Sequence, residues 1–302
     1  MTVGLLFVAL SLMASSGAAP LEQSSERIVG ARTQTDQTIT VPKGTRVEVD
    51  DCAGEVIVRT WDRDAVRVQA RHTSRTRVRA NLVGTQLRLD IDSDRGSGSA
   101  DLDLSVPAWI NLRIDGHNCF AEVAGVSGAV SVKTVEGDIL LTGLTGAVNA
   151  ESVEGKITLE GGRGRVQLST VEGLIAVSKA GGEIVAESVD GDITLTDIQA
   201  SAVEISTVDG DVLYSGALLA NGRYLFTTHD GDVTLAIPEN SSATFSVRTF
   251  GDSRVESTLS LKQGNSGRRG QRSTYTIGGG AAQVDIEAFD GEVRIRRIGE
   301  KD

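Results

Sequence analysis

The chain has 302 residues, of which 41 are Asp or Glu and 30 are Lys or Arg, so its formal net charge is −11. This acidic balance argues against nucleic acid as a partner, because binding to phosphates requires a basic face. The 3 His and 2 Cys supply few of the ligands that zinc sites use. With 39% hydrophobic and 24% charged residues, the composition is that of a folded chain rather than a disordered one.

The segment 1–18 has the pattern of a signal peptide. The apolar run from Gly4 to Ala14 is shorter than the roughly 20 residues that span a bilayer, but it has the length of a signal-peptide h-region. The small residues Ser16, Gly17 and Ala18 follow it, and we expect cleavage after Ala18. The sequence therefore predicts export to the periplasm or beyond, with no membrane span in the mature chain. A buried apolar N-terminal strand is the alternative.

Export would permit a disulfide bond, and Cys52 and Cys119 are the two cysteines available. A bridge requires their Cα atoms to lie within about 7 Å of each other. Spacing along the chain does not establish this, so the sequence leaves two alternatives, a Cys52–Cys119 disulfide or two buried thiols.

A six-residue motif recurs through the middle of the chain, first as Thr134–Ile139 (TVEGDI) and later as SVDGDI and TVDGDV. Its glycines are Gly137, Gly155, Gly173, Gly191, Gly210 and Gly231, and their numbers differ successively by 18, 18, 18, 19 and 21. A late copy contains Gly291, and a second glycine motif recurs half a period away, starting at Gly128. Each period therefore holds two short strands separated by two glycine turns.

Within each period, apolar and polar residues alternate, which is typical of strands with one buried face. One period cannot bury its apolar face alone, so the periods must stack, about 4.8 Å apart. The sequence thus predicts an all-β fold, a single-stranded, β-helix-like β-solenoid at 37–298. Regular coils of about 18 residues, each one repeat unit of the stack, are expected at 116–236, with longer irregular coils at the ends. Residues 19–36 are expected to be a polar lead-in, and the Gly- and Arg-rich segment 263–273 a flexible loop.

The repeated words TVEGDI, SVDGDI and TVDGDV resemble the bacterial putative-adhesin family of unknown function, whose members are described as β-strand-repeat proteins. The pattern from Gly54 to Asp62 is similar to the family's first coil, and that from Gly278 to Ile295 to its last. The resemblance covers roughly residues 40–297. It implies a β-solenoid and brings no catalytic residues with it.

An acidic residue recurs at one corner of each predicted coil: Glu136, Glu154, Glu172, Asp190, Asp209 and Asp230. Stacked carboxylates repel each other, and a bound Ca²⁺ would relieve the repulsion, so this column is the candidate metal site. Calcium β-rolls, however, repeat G-G-x-G-x-D, and the half-period copy here lacks the Asp. The sequence favours the other interpretation, that Asp and Glu suit turns beside Gly and keep the edge solvated. No metal or other cofactor is therefore predicted.

No nucleophile elbow, Walker loop or H-E-x-x-H motif occurs, and His72, His117 and His229 are scattered. The carboxylates follow the repeat, and none stands apart from it as a catalytic acid would. We therefore expect a non-enzymatic binding or scaffold module that presents a ladder-like face to a protein or glycan. The alternatives are a carbohydrate-active β-helix lyase or hydrolase and a calcium-binding repeat protein.

Overall fold

The computed structural model describes residues 24–29, 32–93, 96–250, 254–264 and 272–300. The predicted signal peptide, residues 1–18, lies outside the described residues. The regular structure in these ranges is all β, which confirms the predicted fold class. They include no helix long and apolar enough to cross a membrane.

The described residues form 26 strands. Those of the N-terminal end are β1 (Ser24–Val29), β2 (Arg32–Thr40), β3 (Arg46–Trp61), β4 (Ala65–Thr73), β5 (Thr76–Val83), β6 (Gln86–Ser93), β7 (Gly96–Ser97) and β8 (Ala100–Pro107). Those of the middle are β9 (Asn111–Ala124), β10 (Val130–Glu136), β11 (Ile139–Thr142), β12 (Val148–Glu154), β13 (Ile157–Glu160), β14 (Arg165–Glu172), β15 (Ile175–Ser178), β16 (Gly181–Asp190), β17 (Ile193–Asp209), β18 (Val212–Gly216), β19 (Arg223–Asp230) and β20 (Val233–Ile237). Those of the C-terminal end are β21 (Ala243–Thr249), β22 (Val255–Ser257), β23 (Lys262–Gln263), β24 (Arg272–Ile277), β25 (Ala282–Asp290) and β26 (Val293–Arg297).

The middle of the chain is a stack of coils, each made of a long strand, a glycine corner and a short strand. The long strands β9, β10, β12, β14, β16, β17 and β19 pair in parallel and form what we call the long-strand sheet. The strands β9, β11, β13, β15, β17, β18 and β20 form the short-strand sheet in the same way. Residues one repeat apart are direct partners, such as Val130 and Val148, so the predicted stacking of the periods is confirmed.

The core lies between the two sheets and consists of columns of apolar residues, in which each coil contributes one residue to each column. One such column, Val132, Ala150, Leu168, Ala186 and Ile205, is fully buried. Towards the C-terminal end the columns change to aromatic residues, with Tyr214 edge-on to both Tyr224 and Phe226. The Tyr224 hydroxyl donates a hydrogen bond to the Ala200 carbonyl at 2.8 Å and accepts one from the Leu219 amide at 2.8 Å, which satisfies its buried polar atom.

Antiparallel strands cover the N-terminal end of the stack. β3 pairs with β9 on its inner side, and with β6 and β8 on its outer side. β5 then pairs antiparallel with β6, while β4, β2 and β1 follow β8 in antiparallel order. Residues 24–29 and 32–36 of the predicted polar lead-in therefore belong to strands of this cover. Hairpins of this kind remove the open parallel edge that would otherwise invite further pairing.

The last coil in the sequence is not the last coil of the stack. The coil formed by β25 and β26 resembles a last coil, but it lies between the β19–β20 coil and the β21–β22 coil. β24 then pairs antiparallel with the outer side of β21, and β23 with β24. The predicted loop 263–273 thus begins within β23 and ends within β24, and residues 265–271 lie outside the described residues.

Candidate binding surface

The predicted acidic corner column is brought into register by the stack. Glu136 pairs with Glu154, Glu172 with Asp190, and each later coil adds the next member. The whole column is exposed, and the inserted coil extends it by Asp290: Glu136, Glu154, Glu172, Asp190, Asp209, Asp230 and Asp290. Within the described ranges, no three His, Cys, Asp or Glu residues are grouped so that they could hold a metal ion.

A second acidic column, two residues further on, has a structural role that the sequence analysis did not identify. The Asp138 carboxylate accepts a hydrogen bond from the Lys156 amide of the next coil at 2.8 Å, and Asp192 accepts one from the Asp211 amide in the same way. Asp211 and Asp232 repeat this contact with the next coils. Each of these carboxylates therefore satisfies a corner amide of its neighbour. The Gly-Asp dipeptide at a constant position in the repeat is the sequence feature from which this role could have been predicted.

Calcium is therefore not expected to stabilise the protein. Melting the full chain in excess CaCl₂ and in excess chelator should give the same temperature, because the corner carboxylates are either solvated or hydrogen-bonded to amides. A site filled at 100 times its dissociation constant would add about 2.7 kcal/mol of stability. The opposite result would be a melting temperature that calcium raises and that is lower in the Glu172→Gln variant than in the unmodified chain. That result would establish a metal site at the corner column.

The Ser and Thr column next to the corner glycines points inwards and is buried: Thr134, Ser152, Thr170, Ser188, Thr207 and Thr228. The Thr134 hydroxyl donates to the Glu136 carbonyl at 2.8 Å, which is the local turn contact expected of this residue type. The hydroxyls of Ser152, Thr170 and Ser188 have no hydrogen-bond partner among the described residues. This column is therefore part of the corner interior, and its hydroxyls do not form an outward-facing surface that could bind a ligand.

The structure joins Cys52 of β3 to Cys119 of β9 by a disulfide. Their Cα atoms are 5.6 Å apart, and both side chains are buried. The bridge ties the first coil of the stack to the second at a point where the pairing of β3 with β9 is irregular.

The three histidines lie on separate strands and do not form a common site. His72, on β4, is buried, and its Nε2 is 2.9 Å from the Thr35 hydroxyl. His229, on β19, is exposed and lies against Phe289, with ring centroids 5.2 Å apart. These contacts give His72 and His229 packing roles.

A groove of about 720 Å³ crosses the outward face of the long-strand sheet, and we call it the sheet-face groove. Its lining includes three arginines, four carboxylates, two amides and two apolar side chains: Arg165, Arg223, Arg272, Glu183, Glu204, Asp285, Glu287, Gln167, Gln283, Val185 and Leu225. They come from five adjacent strands, β14, β16, β17, β19 and β25, together with β24 at the end of the sheet. Because outward residues recur every second position, the stack itself places them side by side.

Ion pairs hold most of the charged groups of the sheet-face groove. Arg165 donates to Glu183 at 3.0 Å, and the Arg272 guanidinium lies 3.8 Å from both Asp285 and Glu287. Arg223 forms no ion pair with any residue that the structure describes. The groove thus offers an exposed guanidinium in the middle of a surface whose other charges are largely matched.

Part of the chain matches a known family model. Residues 164–296, just under half of the chain, match the family model Toastrack DUF4097. This confirms the predicted resemblance to a family of unknown function. No curated protein matches the chain.

Three solved structures match the chain at low sequence identity. One is a putative cell adhesion protein from Clostridium sporogenes, with 10% identity over 92% of this chain and 100% of that one and a TM-score of 0.18. A putative adhesin from Bacteroides fragilis has 12% identity over 87% and 96%, with a TM-score of 0.31. A putative lipid binding protein from Parabacteroides distasonis has 10% identity over 88% and 96%, with a TM-score of 0.36. At these TM-scores no detail of those proteins carries over to this chain.

Proposed function

Since residues 164–296 match the Toastrack DUF4097 family model, we propose a function from the surface that these residues expose. The chain is an exported, non-enzymatic module that binds a glycan in the sheet-face groove. The lining residues of the groove named above all lie within the Toastrack match, and their chemistry is the observation that carries the proposal.

The polar lining suits a polyhydroxyl ligand. A sugar hydroxyl both donates and accepts hydrogen bonds, whereas a guanidinium only donates and a carboxylate only accepts. Arg223 pairs in register with Gln283 of the inserted coil, and Glu204 lies on the preceding coil opposite Leu225, so the surface offers both donors and acceptors. Leu225 and Val185 add apolar surface for the C–H face of a sugar ring.

The charges of the groove favour binding over catalysis. A glycoside hydrolase needs two carboxyl groups that differ in role, one of which keeps its proton. In the groove, Glu183, Asp285 and Glu287 all face arginine partners. These carboxylates therefore hold the walls of the groove in place.

The signal-peptide pattern of residues 1–18 and the buried Cys52–Cys119 bridge support export. Disulfides form and persist in oxidising compartments, which for a bacterial protein are the periplasm and the exterior. The module therefore works in the periplasm or outside the cell.

The test is binding of the full mature chain to purified peptidoglycan and to soluble polysaccharides, one neutral and one acidic. We expect at least one of them to bind, and Arg223→Ala to weaken that binding about tenfold, as the loss of a central Arg contact does. Arg254→Ala is the matched control, because Arg254 is exposed beside the short-strand sheet and forms no ion pair with any described residue.

Two results would contradict the proposal. If none of the polysaccharides binds, or if Arg223→Ala and Arg254→Ala behave alike, the sheet-face groove is not a glycan site. If new reducing ends or unsaturated products appear on incubation, the protein is a carbohydrate-active enzyme instead.

A further inference from the structure

A second exposed surface runs along the glycine corner, one residue before the acidic corner column. Each coil places an outward side chain here, and most of them are apolar. We call this line of side chains the corner ridge: Val153, Val171, Val189, Val208, His229 and Phe289. The four valines are 40–49% exposed, although Val favours buried positions.

Aromatic rings continue the corner ridge at its C-terminal end. Phe289 of the inserted coil lies between His229 on one side and Phe250 on the other. The rings of Phe250 and Phe289 are stacked, with centroids 4.5 Å apart and an angle of 4° between their planes. Phe289 nevertheless stays 37% exposed, so the corner ridge extends over six coils, five of which contribute an apolar side chain.

A groove of about 500 Å³ lies beside the valines of the corner ridge, and we call it the corner groove. Val153, Val171 and Val189 form one wall, and Glu151 and Glu187 belong to the other. Lys133 lies at one end, and its Nζ donates to Glu151 at 2.8 Å. This hydrogen bond lowers the pKa of Glu151, so that carboxylate stays charged at neutral pH.

Carboxylates flank the apolar surface on both sides. Glu154, Glu172 and Asp190 follow the valines in the acidic corner column, and Glu151 and Glu187 lie across the corner groove. Two copies of the chain that met through this surface would bring these acids together, and the chain already has a net charge of −11. The surface therefore fits a partner that is both apolar and basic.

The spacing of the corner ridge fits a helix. Neighbouring coils are about 4.8 Å apart, so the valines recur at that interval along the stack. The apolar stripe of an α-helix recurs about every 5.4 Å, whereas same-face side chains of an extended chain recur about every 6.7 Å. Over the five intervals from Val153 to Phe289, about 24 Å, a helix of about 16 residues would cover the ridge.

We propose that the corner ridge and corner groove bind a basic amphipathic helix whose axis runs along the stack. Its apolar stripe packs on the valines and Phe289, and its Lys or Arg residues face the carboxylates on both sides, as in other helix-in-groove complexes. This surface is separate from the sheet-face groove, so the proposal does not depend on glycan binding.

The probe is a synthetic peptide of about 18 residues, with Leu at helical i, i+3, i+4 and i+7 spacing and Lys elsewhere. We expect it to bind the full mature chain, measured by fluorescence anisotropy, and to gain helical circular dichroism on binding. The double variant Val171→Thr/Val189→Thr should weaken binding at least tenfold, because it keeps β-branched residues on the strand but removes apolar contact. Glu172→Gln/Asp190→Asn should weaken binding and reduce its dependence on salt.

Matched controls lie at other exposed positions. Val83→Thr changes a valine that is 77% exposed at the N-terminal end, and Glu256→Gln changes an exposed acid on β22. Both should leave peptide binding unchanged. Thermal melting of each variant shows that a loss of binding does not arise from unfolding.

Three outcomes would overturn the proposal. Equal binding of a peptide with the same composition but alternating Leu and Lys would show that the ridge does not select a helix. A loss of binding that is the same for the ridge variants and the control variants would show attraction by net charge alone. A dimer of the unliganded chain that the valine double variant dissociates would show that a second copy occupies the ridge.

Discussion

Replacing Gly173 with Ala is expected to lower the free energy of unfolding by about 4 kcal/mol or more, placing it among the most damaging single substitutions. A Cβ atom at this corner would lie 2.3 Å from the carbonyl oxygen of Gly155 in the preceding coil. The backbone at Gly173 also has a φ of +150°, which residues with a side chain rarely adopt. The steric conflict cannot be relieved without separating two coils, since the obstructing atom belongs to the backbone.

Gly143→Ala is the matched control for this substitution. Gly143 also has a positive φ, +63°, but an added Cβ would meet no atom within 4 Å. Its cost should be limited to left-handed backbone strain, about 1 kcal/mol. Denaturation in guanidinium chloride and the yield of folded protein measure both variants. If Gly173→Ala and Gly143→Ala lose the same stability, close contact between corner backbones is not the reason that the corners require glycine.

Reduction of the Cys52–Cys119 bridge is expected to destabilise the N-terminal end of the stack by about 4 kcal/mol. The two cysteines are 67 residues apart in sequence, and a crosslink that closes a loop of this length restricts the unfolded chain by about that free energy. The bridge joins β3 to β9, and the covering strands β4, β6 and β8 follow β3 in sequence. Loss of the bridge should therefore expose this end first, which hydrogen exchange of β3 and β9 with and without reductant can detect.

The double variant Cys52→Ala/Cys119→Ala separates the bridge from other effects of reductant. It should be about as unstable as the reduced protein and should not respond to reductant at all. Thiol labelling of the denatured, unreduced chain provides an independent check. Labelling of both cysteines would show that they are free thiols and would remove the basis for this prediction.

The regular part of the fold could be read from the sequence because stacking makes identical residues neighbours. Val130 and Val148 are one repeat apart in sequence and direct partners in the sheet, so periodicity already contains the contact. The acidic corner column follows from the same rule. Periodicity did not predict that Asp138 and Asp192 accept hydrogen bonds from amides of the next coil. The direction of a side chain at a corner depends on backbone angles that the repeat does not specify.

The two candidate surfaces differ in how far the sequence reveals them. The corner ridge could have been found, since Val153, Val171 and Val189 occupy one position of the repeat. Alternation alone did not show that this position faces solvent, because it lies where the strand ends and the glycine corner begins. The sheet-face groove could not have been found, because it depends on Gln283 lying beside Arg223 and on Arg272 lining the same face, which only the inserted coil and its cover bring about.

By itself, the sequence determined the all-β class, the coil length, the buried columns and the exposed acidic corner, because each follows from the spacing of the repeated glycines and from alternation between them. Only the tertiary structure decided the order of the coils at the ends. β25 and β26 enter between two coils that precede them in sequence, and antiparallel hairpins cover both ends. The last regular coil leaves a parallel edge that can pair with any strand whose apolar and polar residues alternate. Which strand pairs there depends on which arrangement covers the remaining edge and buries the end of the core.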